Sequence, residues 1–146
     1  MEFEDALFGW ARGQAEITSL IGAPPGVTRF YHLKNPQGTK FPSLVQQRDG
    51  TSTQQLYCGP DGAVRVSLRI DAYGKTRIEM AAAAKAFRVS IAAALANGPI
   101  MMGDGDSPLD AVKVKAAFMD NQVDLDDPSP GLFRRSQLWS FWIFEP

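Results

Sequence analysis

Residues 63–95 read AVRVSLRIDAYGKTRIEMAAAAKAFRVSIAAAL, and a change of period inside this stretch decides the fold class. From Ala63 to Tyr73 the period is two. Val64, Val66, Leu68, Ile70 and Ala72 point one way, and Arg65, Ser67, Arg69, Asp71 and Tyr73 point the other. Alternation of that length predicts a strand with one face in the core and one against water or a partner. From Thr76 the period lengthens. Thr76 and Glu79 have the spacing of a capping box, in which side-chain oxygens satisfy the free amides of a first helical turn. Met80, Ala84, Phe87, Ile91 and Leu95 then recur at helical steps, with Lys85 and Arg88 off the stripe. Asn97-Gly98-Pro99 stops the helix in the usual glycine-then-proline order.

Working outward, Glu2 to Ile21 carries Phe3, Leu7, Trp10, Ile17 and Ile21 on one helical face. Glycine costs ~1 kcal/mol against alanine inside a helix, so a helix broken near Gly13 is expected. Short strands follow at Thr28 to His32, Pro42 to Arg48 and Thr53 to Tyr57, with Asp49-Gly50 as a hairpin dipeptide and residues 59–62 as a second turn. Beyond Gly98 a loop spans Met101 to Pro108. A strand is then expected in which Val112, Val114, Ala116 and Phe118 alternate against Lys113 and Lys115. Asp120 to Gly131, acidic and rich in turn residues, reads as a surface loop, and Arg135 to Phe144 as the closing strand. Strands and helices in this order, without β-α-β alternation, predict one α+β domain over residues 1–146. Its sheet is mostly antiparallel, with the long helix packed on one face and an N-terminal helix beside it.

The 146 residues and their 45% hydrophobic content suit one globular core that needs neither disulfide nor metal. Cys58 is the only cysteine, and fifteen basic side chains against sixteen acidic ones give no bulk attraction to nucleic acid. The start, Met1-Glu2-Phe3-Glu4-Asp5, is acidic where a secretory signal is basic and then apolar, and no apolar run is long enough to span a bilayer. The expected compartment is the cytosol.

Catalytic chemistry finds no foothold. Cys58 and His32 are the one available nucleophile and base, with no third group to orient them. Asp104, Asp106 and Asp110 share a glycine-containing loop, but their spacing is not that of an EF-hand and no glutamate closes it. They read as a solvated turn, as do Asp120, Asp124, Asp126 and Asp127. No Gly-Lys-Ser/Thr follows Gly103 and Gly105, so no phosphate loop is present. No catalytic, cofactor or metal residue is expected.

Two features point to a partner. Arg65 and Arg69 share one face of the central strand, and Lys113 and Lys115 share a face of another; a basic sheet face can bind single-stranded nucleic acid, although a solvated face or a protein interface fits better. The closing strand is apolar on both sides: Trp139, Phe141 and Ile143 on one, Leu138, Trp142 and Phe144 on the other. A one-sided sheet leaves one such face exposed, and exposed aromatic patches mark interfaces. Trp139, Trp142, Phe144, Arg65 and Arg69 are therefore the expected assembly residues.

Several strings carry a family likeness: Arg29-Phe30-Tyr31, then Asn35-Pro36-Gln37-Gly38-Thr39 running into Phe41-Pro42-Ser43-Leu44-Val45-Gln46, and Arg65 to Tyr73 leading into the alanine-rich helix. With the order of elements they cover nearly the whole chain, which resembles the tail terminator, or tail completion, proteins of long-tailed bacteriophages and gene transfer agents. The resemblance implies a mixed sheet flanked by helices and a homo-oligomeric ring, hexameric in the family, at the head-proximal end of the tail tube. Its implied partners are the tube protein and a head connector protein, with DNA passing through the lumen unbound. It also implies residence at the head–tail junction of the virion, assembly in the host cytoplasm, and no enzymatic activity. A head–tail joining protein on the head side, and a nucleic-acid-binding module, are the alternatives.

Overall fold

The computed structural model describes residues 3–23, 26–48, 56–58, 63–103, 111–126 and 131–144. In chain order these form α1 (Phe3–Arg12), α2 (Ala15–Ile21), β1 (Phe30–His32), β2 (Ser43–Arg48), β3 (Leu56–Cys58), β4 (Ala63–Gly74), α3 (Arg77–Leu95), β5 (Ile100–Met102), β6 (Val112–Asp126) and β7 (Phe133–Phe144). The seven strands make one sheet in the order β1-β2-β4-β7-β6-β5, with β3 also paired to β4. Every pairing is antiparallel except β1 with β2. The α+β fold with a long helix against the sheet and helical structure at the N-terminus is thus present.

The period-two stretch does what its pattern dictates. Val64, Val66, Leu68, Ile70 and Ala72 are buried under the helices, joined there by Trp139, Phe141 and Ile143 of β7. Phe87 at the middle of α3 meets Trp139 edge-on, with ring centroids 5.6 Å apart, while Phe3 of α1 packs on Phe141 at 5.0 Å. Thr76 caps the helix, accepting from the Glu79 N–H, while Glu79 Oε2 accepts from the N–H of Lys75, one residue before the cap, in place of the reciprocal bond to Thr76. Gly74 makes the sharp entry possible, because a Cβ there would lie 2.6 Å from the Met80 amide nitrogen.

The N-terminal helix breaks at Gly13 and Gln14 as expected, Gln14 taking an extended conformation at the start of α2. At α1, Glu4 is buried and held by the Arg48 guanidinium, and the Gln46 amide donates to the Glu4 carbonyl, so β2 fixes the helix start. Arg29 staples the next corner, donating to the Leu20 and Pro42 carbonyls. Gly22 sits in that corner at φ 103°, where an added Cβ would meet the Val27 carbonyl oxygen at 2.2 Å.

Four expectations need correction. Asp49 and Gly50 lie outside the described residues, but β2 and β3 are not a hairpin: both pair with β4, one after the other along the same side. Ile100–Met102, read as loop, is a short strand. Residues 120–126 are not loop either, because β6 continues opposite β7 to Asp126. Finally, β6 contains irregularities between Val114 and Ala116 and between Met119 and Asn121. Each extra residue shifts the phase of the strand. Ala116 and Phe118 consequently pair with Trp142 and Ser140, on the face opposite Val112 and Val114.

Candidate assembly surface

The face of the sheet turned away from the helices gathers four of the five expected assembly residues. Arg65, Trp142 and Ala116 are cross-strand neighbours, and Arg69 pairs with Leu138. The Arg65 guanidinium donates to Ser140 Oγ at 2.9 and 3.1 Å and lies 3.7 Å from Asp120, whose carboxylate accepts the Ser140 hydroxyl. Lys113 and Lys115 stand over the Phe144 ring, their ammonium groups 5.2 and 5.9 Å from its centroid. Trp142 and Phe144 are partly buried, and the two lysines cover the Phe144 ring. Such an amphipathic surface suits a protein interface, where aromatic rings and arginine are enriched.

Trp139 does not belong to it. The residue is 3% exposed, stacked on Phe141 at 5.9 Å, and its indole N–H donates to Gln137 Oε1. Gln137, buried in turn, donates to Gln122. With every polar atom of the ring satisfied inside the chain, Trp139 is a core residue and has no surface to offer a partner.

Exposed apolar residues run along β6 into the stretch expected to be loop, Val123 and Leu125 lying within it. Phe118, Met119, Val123 and Leu125 of β6, with Phe133 of β7, are all exposed. Among the described residues β5 pairs only with Val112–Val114, and no described strand pairs with the far edge of β6 beyond Lys115. Asp120 and Asp124 of this strand are engaged rather than simply hydrated. Asp124 accepts from Arg135 and Arg77, and the Arg135 hydrogen bond above all holds its carboxyl below the ordinary 3.8, against an opposing effect of desolvation. Alternating apolar residues across two displaced phases hid this strand from the sequence pattern. The cross-strand Asp124–Arg135 charge pair was the one available signal.

Nothing described converges as an active site. His32 is exposed and pairs through β2 with the Ile70 end of β4, while Cys58 pairs with Ala63 at the other end. At ~3.3 Å per residue these points are roughly 23 Å apart along the strand, so the two cannot act together. Asp104, Asp106, Asp110 and Asp127 lie outside the described residues; among those described, no cluster of histidine, cysteine or carboxylate could hold a metal. A groove of about 450 Å³ between α3 and β6 is lined by Arg88, Ile91, Leu95, Lys115 and Met119, with no paired acid and base. No described helix is long and apolar enough to cross a membrane.

Comparison with known proteins bears on the fold and on the family. No curated protein matches the chain by sequence. Among solved structures, a chain from the virion of a native gene transfer agent particle superposes with a TM-score of 0.65 at 12% identity, covering 96% of this chain and 92% of that one. The two share a fold. The sequence profile described as tail completion protein gp17 matches residues 5–143, nearly the whole length, so the chain belongs to that family and is a structural protein of phage-type tails.

Proposed function

We propose that the protein closes the head-proximal end of a tail tube as a homo-oligomeric ring, hexameric by analogy with its family. The ring stops tube polymerisation and offers a docking surface to a head connector protein. The family match over residues 5–143 is the observation that carries this reading. The physics supports it: a head-to-tail contact repeated by rotation closes on itself, and it needs two different patches per subunit rather than an active site. A net charge of −1 lets DNA pass a lumen without being held. The work is done by assembly, in the cytoplasm of the host and then at the head–tail junction of the particle.

In this reading Arg65, Arg69, Trp142 and Phe144 form the surface turned to the tube or connector. A nucleic-acid role for the same face is less well supported, since Arg65 is committed to Ser140 and Asp120, and Lys113 and Lys115 to Phe144. The test is complementation of particles lacking the protein with Trp142→Ala, a variant expected to fold, to give protein of normal solubility, and to fail in tail completion. Wild-type yields of finished particles from Trp142→Ala and Arg65→Ala alike would remove this face from the account.

A further inference from the structure

The helix layer covers the sheet unevenly. α3 packs mainly on β4 and β7 and meets β6 only along its flank, and no other described helix packs appreciably on β6. The helix side of β6 is therefore open beside α3, and Met119, which pairs with Trp139 on that side, is 38% exposed. Between helix and strand runs the open groove of about 450 Å³. One wall is Arg88, Ile91, Ala92 and Leu95, and the other is Lys115 to Met119. Arg88 and Leu95 stand two helical turns apart, roughly 10 Å.

The groove is apolar inside and cationic at its helical lip. Lys85 and Arg88 are exposed, and among the described residues neither has an ionic or hydrogen-bonding partner. Lys115 is engaged with the Phe144 ring, so the uncommitted charge belongs to α3. Residues 80–103, most of α3 and all of β5, contain Lys85 and Arg88 and no acidic residue. Residues 111–119 contain Lys113 and Lys115 and no acidic residue either. Asp104, Asp106 and Asp110 lie between these stretches, outside the described residues. Ala92 at the lip is exposed and small, so a partner backbone can come close there.

We propose that this groove docks a short amphipathic helix of another protein, apolar toward Ala92, Leu95 and Met119 and acidic beside Lys85 and Arg88. A helix fits because the groove is the next position in the layer that α3 already occupies, and helices pack side by side at about 8–10 Å. Two turns of it reach along the groove, with the apolar face giving affinity and the charges giving selection. The complementarity comes from carboxylates set beside two cations that no described residue of this chain neutralises. The groove lies across the sheet from Trp142, so this partner is distinct from whatever covers the outer face. Either assignment can fail without the other.

The test uses the full chain and two labelled synthetic helices of ~15 residues, the length at which an isolated helix begins to hold. Both carry the same leucine and alanine face, flanked by glutamate in one and by lysine in the other. Fluorescence anisotropy at low salt should show the glutamate helix binding at least about tenfold more tightly, with the difference shrinking as salt rises. Lys85→Glu with Arg88→Glu should reverse the preference. Ala92→Phe, which fills the groove and leaves both cations in place, should abolish binding of both helices, and circular dichroism verifies the fold of each variant. Equal binding of the two helices, binding that survives Ala92→Phe, or no binding at all overturns the inference. Binding that appears only with Asp104→Asn, Asp106→Asn and Asp110→Asn in one chain gives the groove to this chain's own residues 104–110 and overturns it too.

Discussion

Replacing Trp139 by alanine should cost several times more stability than replacing Trp142, although both lie on β7. Trp139 is 3% exposed and packs on Phe87 and Phe141, so truncation opens a cavity in the aromatic core, worth ~3–5 kcal/mol. Its indole N–H also satisfies Gln137 Oε1, which is itself buried, and an orphaned buried acceptor adds ~1–3 kcal/mol. Trp142 is partly buried on the opposite face, so its loss removes most of the ~1.5–3 kcal/mol that burying a large apolar side chain contributes, but opens no cavity in the core. With a urea m-value of ~1.5 kcal/mol/M, the ~4–8 kcal/mol lost in Trp139→Ala should lower the unfolding midpoint by roughly 3–5 M, and the smaller loss in Trp142→Ala by about 1–2 M. The assay is urea unfolding followed by far-ultraviolet circular dichroism, at a concentration below that of assembly so that oligomerisation does not contribute. Trp139→Phe should fall between the two, keeping a ring but losing the N–H. Equal midpoint shifts, or a larger shift for Trp142→Ala, would show that the two faces of β7 are assigned the wrong way round.

Thr76→Ala should lower stability by ~1 kcal/mol through loss of the helix cap, with assembly unchanged; an unaltered thermal midpoint would show that the cap contributes nothing. Gly22→Ala and Gly38→Ala both place a side chain at positive φ, but only at Gly22 does the new Cβ collide with backbone, 2.2 Å from the Val27 oxygen. Thermal melts should show the usual ~1–2 kcal/mol left-handed penalty for Gly38→Ala and a much larger loss for Gly22→Ala. Asp124→Asn should weaken the chain only when the wild-type carboxylate is charged. The folded carboxyl titrates below its unfolded value, so its contribution is present above about pH 4 and disappears as pH falls through the folded value. Stability differences measured at neutral pH and near pH 2 should therefore shrink toward zero at the lower pH, and a gap that widens on acidification would reverse the sign of the argument.

The elements legible in the sequence are those whose period is unbroken. β4 and α3 follow from alternation and a capping box, and the break at Gly13 and Gln14 follows from helix propensity, because in each case local preference and burial agree. β6 was lost beyond Phe118 for a physical reason. Its two irregularities shift the alternation, so Phe118 lands beside Ser140, and its aspartates imitate a hydrated loop until β7 supplies Arg135. The β2–β3 relation failed similarly. Asp49-Gly50 favours a tight turn, but β4 is long enough to pair with both strands in succession, and that long-range pairing is invisible in a local pattern. Among the expected assembly residues, Trp142 and Phe144 did emerge on the outer face. Trp139 did not, since an aromatic strand read alone does not reveal which side the helices cover. The exposed edge carrying Phe118, Val123 and Leu125 was missed altogether, as a consequence of the same phase shift.

A chain that ends a tail tube by assembling on it should leave tubes bare-ended when it is withheld. Negative-stain images of tails assembled with and without the purified protein test this most directly. Tubes of uniform length bearing a closed ring at one end are expected when the protein is present, and over-long tubes with bare ends when it is withheld. Tubes of the same length distribution in both cases, or protein bound along their sides and never at an end, would contradict it.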